Sequence, residues 1–508
     1  MIGNPMRISG LASGLDIDAM VDKLMQAERK PLDKMKQDRQ KLEWRRDDYR
    51  DINKRLDELS KITLDMRLQS TYLTKKTSSS DDSKVTATAS GNIGNAAYTL
   101  SGVNLATSAH NESTERIADK DFDPNKSLSE MRDKFQPPLD PKGSISFKIT
   151  TYDQEGKPVE KAFDFDQSTS LNHILKEINR SNLGINAFYD HSTGKVSFTR
   201  TDTGNMNENG PEMAFSGDFL TDTLKLDSSK EAGGKDASFI LNGLQTTRHS
   251  NSFTVNGVTF NLKNNMTNNE TVTITVENDT DAVYQKITDY INKYNEVMNT
   301  INEKISEVPN RDYPPLTDNQ KKEMKDDEIK LWENKAKSGM LHNDSILSSL
   351  LAKMRTAFYS PVTGVDSKAD QLAKIGITAS NDYKDNGKLI IDPDKLKQAI
   401  ADDPQGVMAL FTKNGDDFHS KGIAKRLDDD IKEAMNQIKQ KAGNAAMVDS
   451  RFLLGQRLEH LNDRIKAFQN HLNDVENQYY KQFNVMEQAI DRANQQAAFI
   501  QNQFGGGA

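Results

Sequence analysis

Over about the last fifty positions the apolar residues recur as Leu454, Leu458, Leu461, Ile465, Phe468, Leu472, Val475 and Tyr479. They continue as Phe483, Met486, Ile490, Ala493, Ala497, Ile500 and Phe504. Steps of four and three alternate, which keeps one stripe on one side of a helix and requires a partner along it. Val475, Tyr479 and Phe483 are spaced four and four, a stutter that locally unwinds a supercoil. No Gly or Pro lies between Gln456 and Phe504. The pattern predicts one helix of roughly 75 Å at about 1.5 Å per residue. Near the N-terminus Met35, Leu42, Tyr49 and Leu56 recur every seven residues, with Ile52, Leu59 and Met66 as a companion row. Ile17, Met20, Val21, Leu24 and Met25 form a shorter stripe ahead of Pro31, where a break is expected because proline lacks an N–H and clashes with the carbonyl of Ala27. The two ends are expected to meet. An intramolecular coiled coil would join Met35, Leu42, Tyr49, Ile52, Leu56 and Leu59 to Leu458, Leu461, Ile465, Phe468, Leu472 and Val475.

Between the ends the texture changes. Val85 to Ala89 and Tyr98 to Val103 alternate as strands. Residues 110–142 are polar, carry four prolines and read as a linker. A compact β-β-α-β-β module follows. Its strands are marked by Phe147 and Ile149, Phe163 and Phe165, Ile185 to Tyr189, and Val196 to Thr199. Its helix carries Leu171, Ile174, Leu175 and Ile178. After Gly233-Gly234, Phe253 and Val255 face Val258, Phe260 and Leu262 across Asn256-Gly257, a hairpin signal. Helical periodicity returns from Ala282, interrupted by one hairpin of Ile375 to Thr378 with Lys388 to Ile391, and Pro393 and Pro404 stand where helices start. The expected fold is α+β and multidomain, with paired N- and C-terminal coiled-coil helices, a helical domain and two inserted β-rich domains. The expected boundaries are 1–40 with 471–508, 41–76 with 282–470, 77–110 with 232–281, and 111–231.

The chain of 508 residues is too long for one core. Net charge is −8, from 67 basic and 75 acidic residues, which argues against a general nucleic-acid binder. With no cysteine, disulfides, thiol nucleophiles and cysteine metal sites are excluded. No apolar run is long enough to span a membrane, and the start has no basic-then-apolar leader. The eight histidines are scattered without an HExxH pair, and His460 and His471 read as exposed helix residues. Asp382 to Gly387 has Lys384 and Pro393 where a calcium loop needs carboxylates, so it reads as a plain turn. No nucleotide-binding glycine motif occurs. No catalytic, cofactor or metal site is expected.

Ile8-Ser9-Gly10-Leu11-Ala12-Ser13-Gly14-Leu15-Asp16-Ile17-Asp18, followed by Leu24 to Leu32, resembles the N-terminus of the flagellar filament cap family (FliD, hook-associated protein 2). Tyr98 to Ala109, Leu241-Asn242-Gly243, Tyr294-Asn295-Glu296, Leu372 to Ile377 and Gln482 to Glu487 resemble later blocks of that family in the same order, and residues 144–204 resemble a module shared with flagellins. The resemblance implies a homo-oligomeric cap, most often pentameric, at the distal tip of the flagellum. Such a cap folds and inserts exported flagellin and prevents its loss. It also implies an extracellular address reached without a cleaved signal peptide. The implied partners are flagellin, hook–filament junction proteins, and the flagellar type III export machinery with an export chaperone. Ile17, Val21, Leu24, Tyr479, Phe483, Met486, Ile490, Ala493, Ala497, Ile500 and Phe504 are the expected terminal-helix assembly residues, since a lone stripe bears a large ordering cost until a partner covers it. The alternatives are a hook–filament junction protein, or a tip adhesin acting through residues 111–231.

Overall fold

The computed structural model describes residues 14–90, 93–141, 145–366, 368–382 and 385–504, the last three by backbone alone. The start before Gly14, the closing residues 505–508, Tyr383 and Lys384 of the acidic turn, and the Phe504 side chain lie outside the described residues. Two compact units divide the chain, Met1–Tyr72 with Thr280–Ala508 and Leu73–Asp279. Helix α1 (Ile17–Asp65) opens on Asp16, whose carboxylate accepts from the Ala19 amide at 2.9 Å and satisfies one orphan donor of the first turn. The expected break at Pro31 is absent, and α1 runs through it. Pro31 and Ala27 are both exposed, so the Ala27 carbonyl that proline cannot bond is open to water rather than orphaned in a core.

The unit Leu73–Asp279 holds β1 (Lys75–Ser79), β2 (Val85–Ala89), β3 (Ala96–Asn104), β4 (His110–Glu112), β5 (Ile145–Tyr152) and β6 (Pro158–Phe165). Helix α2 (Leu171–Asn179), β7 (Ile185–Asp190), β8 (Lys195–Arg200) and β9 (Ala214–Ser216) follow. The unit closes with β10 (Ala237–Leu241), β11 (Leu244–Arg248), β12 (Ser252–Val255), β13 (Val258–Leu262) and β14 (Thr271–Asn278). A five-stranded sheet ordered β1-β14-β3-β10-β11 and a three-stranded sheet ordered β12-β13-β2 enclose one core around Leu100, Phe239, Phe260 and Ile274. Asn242-Gly243 and Asn256-Gly257 turn the β10–β11 and β12–β13 hairpins with φ of 48° and 83°, and 48° and 78°. Both central residues are left-handed, as a two-residue turn matched to strand twist requires. Val255 pairs with Val258 and Phe253 with Phe260, as the alternation predicts.

A separate core belongs to the inserted module, built from sheets β4-β8-β7 and β6-β5-β9 with α2 packed on them. Residues 110–141 are not a free linker. Ile117, Ala118, Phe122, Leu128 and Phe135 are buried in this core, and the loop crosses itself through Asp119 N to Lys134 O at 2.8 Å and Gln136 N to Ile117 O at 2.9 Å. An irregular segment has no hydrophobic period, so its burial left no pattern in the sequence.

In the other unit, α3 (Thr280–Ser306), α4 (Asp318–Glu323), α5 (Asp326–Ala336) and α6 (Ser345–Tyr359) precede the hairpin of β15 (Ile377–Ala379) and β16 (Leu389–Ile391). Helices α7 (Pro393–Asp402), α8 (Pro404–Thr412), α9 (Ile423–Ala442) and α10 (Leu453–Phe504) follow. Asp392 and Asp403 cap α7 and α8 ahead of the two prolines. Asp344 caps α6 through the Ile346 and Leu347 amides at 3.1 and 3.2 Å. It also accepts from the Tyr49 hydroxyl of α1 and, at 3.0 Å, from Lys441 of α9, so one carboxylate ties three helices. Burial pushes the Asp344 carboxyl up, but the bonds from Tyr49, Lys441 and the Leu347 amide outweigh it and hold the group below the usual carboxylate range. The folded carboxylate therefore stabilises the unit above the ordinary aspartate range, and that stabilisation is lost as pH falls through the folded value. Asp344→Asn should lower stability at neutral pH by about 2–4 kcal/mol. Urea melts of the variant should also show a shallower acid limb than the parent below about pH 4.

Candidate assembly surface on the terminal helices

Helices α1 and α10 pair antiparallel. Near one end Tyr480 donates to Asp18 at 2.9 Å, and Tyr479 donates to Glu28 at 3.1 Å. Further along, Pro31, Lys34 and Met35 stand across a groove from Leu461, Arg464 and Phe468. Ile17, Val21, Met25 and Leu32 are buried against Leu461, Ile465 and Leu472, and Met35, Leu42, Phe468, Val475, Tyr479 and Phe483 are partly buried around them.

This register corrects the expected pairing. Ile17 and Val21, expected on the assembly surface, lie inside the intramolecular seam with Tyr479 and Phe483. Tyr49, Ile52, Leu56 and Leu59 do not join that seam. They are fully buried in the core formed with α3, α6 and α9. A heptad row specifies that a face is buried, not which helix buries it. Leu24 lies off the seam, 41% exposed, because the face runs through Val21 and Met25, four apart. Leu458 is buried. Met25, Leu32 and Tyr480 were absent from the expected set. Met25 and Leu32 are seven apart and continue the α1 row, a signal masked by the break expected at Pro31.

Past Phe483 the character of α10 changes. Met486 and Ile490 are half-buried, whereas Ala493, Ala497 and Ile500 are exposed. Val485, Phe499 and Ile500 are 66%, 64% and 55% exposed. Since Asp18 of the first turn of α1 already meets Tyr480, the segment from Val485 to the helix end extends past that turn by roughly 30 Å at about 1.5 Å per residue.

Elsewhere the chemistry is sparse. A cleft of about 540 Å³ in the β unit is lined by Asp202, Thr203, Arg248, His249 and Asn251. There His249 Nδ1 lies 2.8 Å from Asp236. Among the described residues no group of three or more His, Asp or Glu could hold a metal ion, and no helix is long and apolar enough to cross a membrane.

Comparison with known proteins matches residues 13–109 to the family described as "Flagellar hook-associated protein 2 N-terminus" and residues 234–495 to "Flagellar hook-associated protein 2 C-terminus". Residues 110–233 fall between the two matches. The chain is 35% identical over 536 residues to flagellar hook-associated protein 2 of Halalkalibacterium halodurans, covering 98% of this chain and 100% of the relative. It is 27% identical to A-type flagellar hook-associated protein 2 of Pseudomonas aeruginosa, covering 97% and 96%. In fold it is similar to the D1-D2-D3 domains of the flagellar cap protein FliD from Escherichia coli. The TM-score is 0.53 at 20% identity, over 78% of this chain and 96% of that one. The two family matches and a relative aligned end to end leave one assignment: the chain belongs to the flagellar hook-associated protein 2 family.

Proposed function

We propose that this chain caps the flagellar filament. Several copies, five by family resemblance, form a plate at the distal, extracellular tip, and flagellin subunits fold and insert beneath it instead of escaping. The paired ends of α1 and α10, residues 1–40 with 471–508, act as the leg. Residues 77–110 with 232–281, carrying the module 111–231, contribute the plate, and residues 41–76 with 282–470 form a helical domain. Subunits leave the cell through the type III export machinery, with an export chaperone and no cleaved signal peptide, and meet the hook–filament junction proteins before flagellin arrives. Assembly rests on the exposed apolar segment of α10 beyond Phe483, with Val485, Phe499 and Ile500 each more than half exposed. An isolated subunit gains nothing from exposing such a face, and large exposed apolar surface marks an interaction site. Gold-labelled antibody against the chain should decorate only the distal ends of filaments. Label confined to the hook–filament junction would overturn the cap in favour of a junction protein.

A further inference from the structure

The inserted module and the sheet core around Leu100 and Phe239 belong to one compact unit. The chain leaves the sheets through residues 105–110 and returns through 232–236. These two passes pair antiparallel, Thr107 with Lys235 and His110 with Ala232. A neck of two strands bends and twists, and motion between domains is the ordinary expectation across so small a link. Gly233 and Gly234 lie in the neck, where small residues commonly form a hinge.

A third segment closes it. After β8 the module's chain, residues 200–206, runs back along the neck. The Arg200 amide donates to the Ala109 carbonyl at 2.9 Å and the Gly204 amide to the Thr107 carbonyl at 3.1 Å. The segment then reaches the sheet core. The Asn205 amide donates to the Asp236 carboxylate at 2.7 Å, and the Thr203 hydroxyl donates to the His249 carbonyl, between β11 and β12, at 2.8 Å. From the module Glu212, 1% exposed, accepts from the Gly234 amide at 2.9 Å. Glu231 in turn accepts from the Glu212 and Met213 amides at 2.6 and 2.8 Å. The two carboxylates clasp segments 212–213 and 231–234 from both sides. The fit leaves no room for a side chain. A Cβ on Gly234 would stand 2.1 Å from the Gly204 carbonyl oxygen, and one on Gly204, whose φ is 99°, would stand 2.6 Å from the His249 backbone. The two glycines therefore serve close backbone approach rather than bending.

We propose that this joint makes the module and the sheet core move as one body, with Glu212 as the pin that fixes Gly234. A contact made anywhere on the module is then passed to the sheets with no hinge between. The proposal concerns the joint alone and stands apart from the capping reading.

The chain has no cysteine, so paired spin labels can be introduced at chosen sites. Lys176→Cys on α2 and Gln245→Cys on β11, both exposed, span the joint in the full-length chain. Lys176→Cys with Ala162→Cys, exposed on β6, reports the module alone. Labelled chain is diluted with unlabelled chain, and distances are read by double electron–electron resonance. The spanning pair should give one distance peak as narrow as that of the module pair. Glu212→Ala should cost the spanning pair that peak and leave a broad distribution, while the module pair keeps its own. Glu212→Gln should restore the narrow peak, because an amide oxygen accepts from Gly234 as a carboxylate does and the second Glu212 oxygen has no bond to lose. A broad spanning distribution in the parent would overturn the single body. A narrow one in Glu212→Ala, or no restoration by glutamine, would overturn the role of Glu212. So would broadening of the module pair in Glu212→Ala, which would make Glu212 a residue of the module's own fold.

Discussion

Arg426→Met lowers the stability of the helical unit by about 3–5 kcal/mol, the range for stripping a buried charged group from its partners. At about 2–4 °C per kcal/mol the melting temperature falls by roughly 10 °C. Arg426 is 1% exposed. Its Nε donates to the Phe418 carbonyl at 2.6 Å and Nη1 to the Ser360 carbonyl at 2.7 Å. Nη2 donates to the carbonyls of Pro361 and His419, both at 2.8 Å. The guanidinium also lies over the Phe418 ring, 4.6 Å from its centre. These carbonyls belong to the end of α6 and the loops that follow α6 and α8, so one side chain closes segments that no ladder joins. Methionine fills similar space but takes the guanidinium donors from the Phe418, Ser360 and Pro361 carbonyls, while the His419 carbonyl keeps the Thr363 amide at 2.9 Å. Lysine, with three donors on a single nitrogen, cannot span the fork, so Arg426→Lys should fall between parent and methionine variant. Thermal melts of the three proteins check the order. Equal melting temperatures would remove Arg426 from the account.

A chain ending at Asn484 behaves in the opposite way. The apolar residues of α10 that the seam with α1 fully buries, Leu461, Ile465 and Leu472, all precede that point, whereas Met486 and Ile490 beyond it are half-buried, so the melting temperature should shift by no more than about 1–2 kcal/mol of stability is worth. Filament formation should nevertheless fall to the level of cells without the protein, because Val485 to Phe504 carries the exposed apolar positions on which assembly is proposed to rest. Filament counts by electron microscopy, beside thermal melts of the purified chain, separate the two effects. A truncated chain that unfolds early would show that the segment is a stability element. One that builds normal filaments would move the assembly surface elsewhere.

The contrast between these two sites follows what local pattern can encode. The Asn256-Gly257 hairpin and its register were legible because only residues tolerant of positive φ fit that turn, and alternation then fixes which side chains pair. The starts of α7 and α8 were legible from Pro393 and Pro404. Helix α10 was legible because its stripe is long and carries no Gly or Pro from Gln456 to Phe504. The partner of α1 was not, since Tyr49 to Leu59 repeat like a coiled coil yet pack into the core with α3 and α9 rather than along α10. Strand β1, Lys75–Ser79, and strand β11, Leu244–Arg248, have no residue fully buried, so period two gave no apolar signal. Arg426 was invisible except for its place three residues after Ile423, on the buried face of α9, where a charged side chain demands an explanation. Of the candidate surface, Ala493, Ala497 and Ile500 were readable from the stripe, whereas Val485 and Phe499, which lie off it, were not.

The most direct test of capping follows flagellin itself. In cells deleted for this chain, flagellin is measured in the culture medium and in sheared filaments, with and without the full-length chain supplied in trans. The account predicts monomeric flagellin in the medium and few filaments after deletion, reversed by the full chain. Filaments of normal number and length in the deleted cells, with no rise in secreted flagellin, would contradict it.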